Sequence, residues 1–161
     1  MFRVQYADGD GIYRLLIVRS SSGGASMKVL LVDDSKFMRL ANAKELTRAG
    51  YEVLTAEDGE DALRVASDGH PDLILLDMML PKLSGPEVLK RLKANPVTAS
   101  IPVVVLTSLS QKNEEKLIEA GAAAYFEKGA LSLDKGSGAL VTAVQQAERQ
   151  FVRKKAAQAG R

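Results

Sequence analysis

A chain of 161 residues, 46% hydrophobic and 26% charged, has the composition of an ordinary globular protein, long enough for one domain with a substantial core and too short for two comfortable ones. A net charge of +2 excludes strong steering toward nucleic acid or an anionic membrane. The absence of cysteine excludes disulfides, thiolate metal sites and cysteine nucleophiles, and no apolar run reaches the length of a membrane span.

The first 26 residues form an N-terminal extension with two readings. Its apolar stretch Ile12–Val18 is short, contains Arg14 and follows Asp8 and Asp10, unlike the uninterrupted apolar middle of a signal peptide. A cytoplasmic protein is therefore expected. One strand could run from about Tyr13 to Arg19, followed by a flexible break at Ser20–Ser26. Alternatively, translation starts at Met27, because adjacent codons for Gly23 and Gly24 can spell the ribosome-binding sequence GGAGG. The intact mass of the natively expressed protein separates the two.

From Met27 onward strand and helix patterns alternate. Lys28–Val32 is a first strand, and a helix from about Lys36 to Ala49 follows, with Ser35 as N-cap and Gly50 as left-handed stop. Its apolar residues Phe37, Leu40, Ala41 and Leu46 roughly follow helical spacing. Glu52–Thr55 is short and more polar, as an edge strand would be. A second helix spans about Gly59 to Ser67 behind Asp58 as cap. Leu73–Leu76 is a continuous apolar run, expected for a strand buried on both faces. A helix over about Gly85 to Ala94, a strand at Val103–Leu106, a helix over about Gln111 to Ala120 and a strand ending at Glu127 follow. The last helix covers about Ser137 to Lys154, and residues 151–161 form a basic tail.

Five strands alternating with five helices predict an α/β fold, a parallel sheet covered on both faces. In such a sheet the strand ends share one edge, where ligands bind. Here those ends carry Asp33-Asp34, Asp77, Thr107 and Lys128, so three carboxylates, a hydroxyl and an ammonium are expected to converge. These are the groups that phosphoryl chemistry on an aspartate needs.

The motifs Leu31-Val32-Asp33-Asp34-Ser35, Leu75-Leu76-Asp77-Met78-Met79-Leu80-Pro81 with Gly85, Val105-Leu106-Thr107-Ser108 and Tyr125-Phe126-Glu127-Lys128 match in order, spacing and strand context. Residues 27–150 resemble a receiver domain of the bacterial two-component response regulators, of the stand-alone type. The resemblance implies a doubly wound, flavodoxin-like fold with strand order 2-1-3-4-5, which sets Asp33-Asp34 beside Asp77.

Asp77 is then the phosphoacceptor, a carboxylate nucleophile that forms an acyl phosphate. Asp33 and Asp34 crowd it with like charge, a conflict that a divalent cation resolves. Mg²⁺ suits the oxygen donors, with Asp34 and Asp77 as direct ligands and Asp33 acting largely through water. The resemblance adds the backbone carbonyl of Met79 as a ligand. Lys128 would pair with phosphate oxygens, Thr107 would offer its hydroxyl and Ser108 its backbone N–H. By the same resemblance, Thr107 moves toward phosphate and Tyr125 rotates into the space it leaves, switching a distant surface.

Taken singly, each residue has a plainer reading. Asp33-Asp34 could be a solvated helix N-terminus, Lys128 a surface lysine, Thr107 an ordinary strand residue and Tyr125 a half-exposed ring. His70, the only histidine, sits in a Gly-His-Pro turn and reads as a loop residue. The chain departs from the family pattern at Gly129, where proline with a cis peptide bond is usual, and in the length of the loop Gly129–Gly136.

The resemblance implies a signalling protein rather than an enzyme, its only catalysis being its own phosphoryl transfer and dephosphorylation. The phosphate would come from a sensor histidine kinase or a histidine phosphotransfer protein. A downstream protein would read the surface of the fourth helix, fifth strand and fifth helix, including Gln111, Lys112, Glu115, Lys116 and Glu119. A haloacid-dehalogenase-type phosphatase would need an acid at Met79, and a flavin-binding protein a small-residue loop where Asp34-Ser35-Lys36-Phe37 stands. Too few residues follow the last helix for a helix-turn-helix, so no nucleic-acid partner is expected, nor a membrane. The remaining rival is a receiver-fold binding module that is never phosphorylated, and Mg²⁺ binding separates it from the phosphoacceptor.

Overall fold

The computed structural model describes residues 4–7, 13–16, 26–108, 114–128, 138–152 and 160. Two strands, β1 (Val4–Ala7) and β2 (Tyr13–Leu16), pair antiparallel in a sheet of their own, where the sequence suggested a single strand. The expected break at residues 20–25, the loop at 129–136, the tail from 153 to 159 and the positions of Gln111 and Lys112 lie outside the described residues.

The main sheet holds β3 (Lys28–Val32), β4 (Glu52–Ala56), β5 (Leu73–Asp77), β6 (Val103–Thr107) and β7 (Ala124–Glu127). Its order is β4-β3-β5-β6-β7 and every pairing is parallel, the doubly wound order 2-1-3-4-5 when counted from β3. The polar strand β4 lies at an edge, as its composition indicates. The central strand β5 is buried at all five positions, which is why it reads as an unbroken apolar run.

Alternate side chains of these strands feed two cores. Leu30, Val32, Ile74, Leu76, Val103 and Val105 pack with Ala62 and Ala66 of α2 (Gly59–Gly69) and with Val88, Leu89 and Leu92 of α3 (Gly85–Ala94). Val29, Leu31, Leu73, Leu75, Val104 and Leu106 face Leu46 of α1 (Lys36–Arg48) and Leu140, Val144 and Ala147 of α5 (Ala139–Ala147). Between them, α4 (Glu114–Glu119) leans Leu117 on the first core, and α5 continues into a π-helical turn at Glu148–Val152 that seats Phe151 on the second.

The helix boundaries follow their chemistry. Ser35 accepts a hydrogen bond from the Met38 N–H at 3.3 Å, and Asp58 accepts one from the Asp61 N–H at 2.9 Å, each satisfying a donor that the first turn leaves open. Gly50 takes the left-handed backbone after α1 (φ 97°), as its position indicates.

The apolar residues of α1 do not all face the core. Leu46 is buried, but Phe37 and Leu40 are 71% and 61% exposed. At about 100° per residue, Phe37 lies nine positions, roughly half a turn of the wheel, from Leu46. The inward positions are those near Leu46 on the wheel, Arg39 and Ala43 among them.

Candidate functional site

The loop after β3 and the ends of β5, β6 and β7 meet at the carboxyl edge of the sheet. Asp77 is the last residue of β5 and is 1% exposed; Asp33 follows β3 and is 2% exposed, while Asp34 beside it faces solvent. One carboxylate oxygen from each of Asp33, Asp34 and Asp77 lies within 4.8 Å of the others. Residues 33 and 77 become neighbours because β3 pairs with β5, in register from Val29 opposite Leu73 to Val32 opposite Leu76.

Backbone donors fix the two buried carboxylates. Asp33 Oδ1 accepts the Ser35 N–H at 2.9 Å, and Asp77 Oδ1 accepts the Met79 N–H at 3.0 Å. The Asp33 backbone is anchored twice, its N–H donating to the Ala56 carbonyl at 3.2 Å and its carbonyl accepting from the Arg39 guanidinium at 2.7 Å. Arg39 reaches on to Glu57 at 3.4 Å. Burial pushes the Asp33 carboxyl above its usual range, opposed by the Ser35 N–H and by Lys128, and reinforced by the charges of Asp77 and Asp34.

Lys128, just past β7, brings its ammonium 2.5 Å from Asp77 Oδ2 and 3.7 Å from Asp33 Oδ2. Thr107 is buried at the end of β6, and Ser108 after it is exposed. Register sets Thr107 opposite Glu127 and Tyr125 opposite Val105, so Thr107 and Tyr125 share a face of the sheet as diagonal neighbours. Tyr125 is half-buried against the first core. Met79 is 66% exposed. Every candidate site residue read from the sequence is thus at this edge or on the adjoining strand β7.

The donor set fits a small hard cation: three carboxylates with oxygens in mutual reach, and no nitrogen or sulfur donor among the clustered residues. Behind the cluster, Gly85 allows the backbone to close up. A Cβ there would lie 2.5 Å from Met78 Cα and 2.7 Å from the Asp77 carbonyl oxygen. Its N–H donates to the Met78 carbonyl at 3.2 Å.

Two supports were not singled out from the sequence. Arg39 holds the Asp33 carbonyl, and the Lys82–Asp58 ion pair ties down the loop that follows Asp77. Arg39 lies seven residues from Leu46, two turns along the same face, and that spacing was the available signal. Nothing in the local pattern marks Lys82.

Residues 29–135 match the family model of the response regulator receiver domain. The gliding motility regulatory protein of Myxococcus xanthus is 38% identical over 118 residues, 73% of this chain but only 15% of that protein's own length. The polar-differentiation response regulator DivK of Brucella ovis is 37% identical over 101 residues, 62% of this chain and 82% of its own. Among solved structures, the chemotaxis protein CheY4 of Vibrio cholerae superposes with a TM-score of 0.68 at 31% identity, over 76% of this chain and 98% of its own. Sheet order, strand-end chemistry and relatives agree: this chain belongs to the response regulator receiver domain family.

Proposed function

We propose that Asp77 accepts a phosphoryl group from a phosphohistidine, with Mg²⁺ as cofactor, and that the acyl phosphate alters affinity for a downstream protein. The observation that carries this reading is the meeting of Asp33, Asp34 and Asp77 within 4.8 Å, with the Lys128 ammonium 2.5 Å from Asp77 Oδ2. A carboxylate oxygen of Asp77 attacks phosphorus, the phosphorus–nitrogen bond breaks, and the imidazole leaves with the electron pair. Lys128 is the cation placed to follow the oxygens of the transferred group, and Thr107 the hydroxyl. Asp34 and Asp77, with the Met79 carbonyl, would hold Mg²⁺, and Asp33 would act through water. When bound, the ion neutralises charge that builds on the phosphoryl oxygens.

The exposed side chains of Phe37 and Leu40 rise from the first turns of α1, the helix that follows Asp33-Asp34. An apolar patch so placed suits a docking surface for the phosphodonor, a sensor kinase or phosphotransfer protein. The readout surface is α4, β7 and α5, where Glu115, Lys116 and Glu119 are exposed and Tyr125 is half-buried. Exchange between two packings of Thr107 and Tyr125 links phosphate to that surface. No helix among the described residues is long and apolar enough to cross a membrane.

Intact mass after incubation with acetyl phosphate, with and without Mg²⁺, beside an Asp77→Ala control, tests the chemistry. One added phosphoryl group that requires both Mg²⁺ and Asp77 is the expected result. A folded protein that gains none would be a phosphorylation-independent binding module instead.

A further inference from the structure

We propose that Lys82 and Asp58 form a latch that holds the loop after Asp77 in its ion-binding shape, making Lys82 a positioning residue for the site. The inference rests on the phosphoacceptor reading above. It begins from backbone geometry. Lys82 has φ 61°, the left-handed region that side-chain-bearing residues other than Asn and Asp rarely enter. A lysine persists there only when its surroundings hold it.

The surroundings are specific. Lys82 Nζ lies 2.5 Å from Asp58 Oδ2, while Asp58 Oδ1 accepts the Asp61 N–H that opens α2. The Asp58 carboxylate is buried, so one oxygen caps a helix and the other ties down a loop. The Asp61 N–H and the Lys82 ammonium hold the Asp58 carboxyl below its usual range, and Asp58 in turn raises the ammonium. Beside the pair, Gly59 brings α2 into backbone contact with the same loop. A Cβ on Gly59 would stand 2.4 Å from the Leu83 carbonyl oxygen and 2.6 Å from Leu83 Cβ.

The other end of this loop is the functional site. Met79 donates its N–H to Asp77 Oδ1 at 3.0 Å, and the Met78 carbonyl accepts the Gly85 N–H at 3.2 Å. Residues 78–84 are thus pinned at Asp77, at Asp58 and at Gly85. An ordinary surface ion pair contributes little. The Lys82 side chain is 60% exposed, but this pair differs in having a buried, helix-capping acceptor and a donor on a left-handed backbone. Lys82 is not among the clustered carboxylates and acts on them only through the loop.

The test compares Lys82→Gln, Asp58→Asn, the double variant and Lys82→Arg. The readouts are the Mg²⁺ concentration for half-maximal phosphorylation by acetyl phosphate and the maximal rate. Loss of a residue that orients a metal ligand typically weakens metal affinity by 10-fold or more, so both single variants are expected to raise the Mg²⁺ requirement about tenfold. The maximal rate at saturating Mg²⁺ stays near wild type, the double variant is no worse than either single, and Lys82→Arg restores the wild-type requirement. An unchanged requirement in Lys82→Gln would overturn the latch, as would full additivity of the two single changes. Should the wild-type protein take no phosphate, the phosphoacceptor reading fails, and the latch is judged by amide hydrogen exchange. Faster exchange at Met79 in Lys82→Gln, with Leu75 in the central strand unaffected, supports it. Unchanged exchange at Met79 refutes it.

Discussion

Replacing Gly85 by alanine tests whether close backbone packing behind Asp77 matters to both stability and chemistry. The added Cβ would stand 2.5 Å from Met78 Cα, 2.7 Å from the Asp77 carbonyl oxygen and 2.9 Å from the Met78 carbonyl oxygen. Carbon atoms in good contact sit about 3.5–4.0 Å apart, so relief requires a shift of about 1 Å. All three obstructing atoms belong to the backbone, and none can swing aside as a side chain end would. Overpacking of this sort costs about 1–3 kcal/mol. In a chain of 161 residues the upper part of that range lowers Tm by roughly 5–10 °C. The same shift moves the loop whose Met79 N–H holds Asp77 Oδ1, and a 1 Å misplacement at a reacting centre can cost on the order of 100-fold in rate. Thermal unfolding by circular dichroism and the acetyl phosphate reaction give the two readouts. Gly50→Ala is the control: nothing lies within 4 Å of its added Cβ, and only its φ of 97° is strained. It should lower Tm and leave the phosphorylation rate alone. A Gly85→Ala protein with Tm within about 2 °C of wild type would refute the packing argument.

The buried carboxylates make a second, pH-dependent prediction. Burial raises the folded pKa of Asp33 above the unfolded value, so ionising it costs stability. That cost is absent well below about pH 3.9 and grows as pH rises toward the folded pKa. Asp33→Asn should therefore raise Tm in EDTA at pH 7 and leave it unchanged near pH 3; no gain at pH 7 would contradict the assignment. Mg²⁺ at a hundred times its dissociation constant should stabilise the wild-type protein by about 2.7 kcal/mol, read as a Tm that climbs with ion concentration. A Tm indifferent to millimolar Mg²⁺ would argue against the carboxylate cluster as its site. Leu75→Ala, at a fully buried position of the central strand, should cost about 2–5 kcal/mol in urea unfolding. A loss below about 1 kcal/mol would mean that the core collapses around the gap.

The sheet was legible because its signals are local. Leu73–Leu76 is apolar throughout since both faces of β5 are covered, and Glu52–Thr55 is mixed since β4 has a neighbour on one side only. The site was legible because each strand ends in a distinctive residue and a parallel sheet gathers such ends on one edge. What escaped depends on direction around a helix or on contacts between distant segments. Phe37 and Leu40 are apolar, yet their angle from Leu46 turns them to solvent. Arg39 looks like a surface cation until the angle places it inward. Lys82, between Pro81 and Leu83, has a left-handed backbone and meets Asp58, 24 positions earlier in the chain. No local pattern contains that contact.

The parts of the candidate site leave the ribosome at different times. Asp33, Asp34 and Asp77 all precede the midpoint of the chain, and the strands that bear them are neighbours in the sheet. Lys128 follows Asp77 by 51 positions. At synthesis rates of about 5–20 residues per second, the ammonium emerges roughly 3 to 10 s after the last carboxylate. Through that interval the growing chain carries the carboxylates of Asp33 and Asp77 without the ammonium that lies against both in the finished fold.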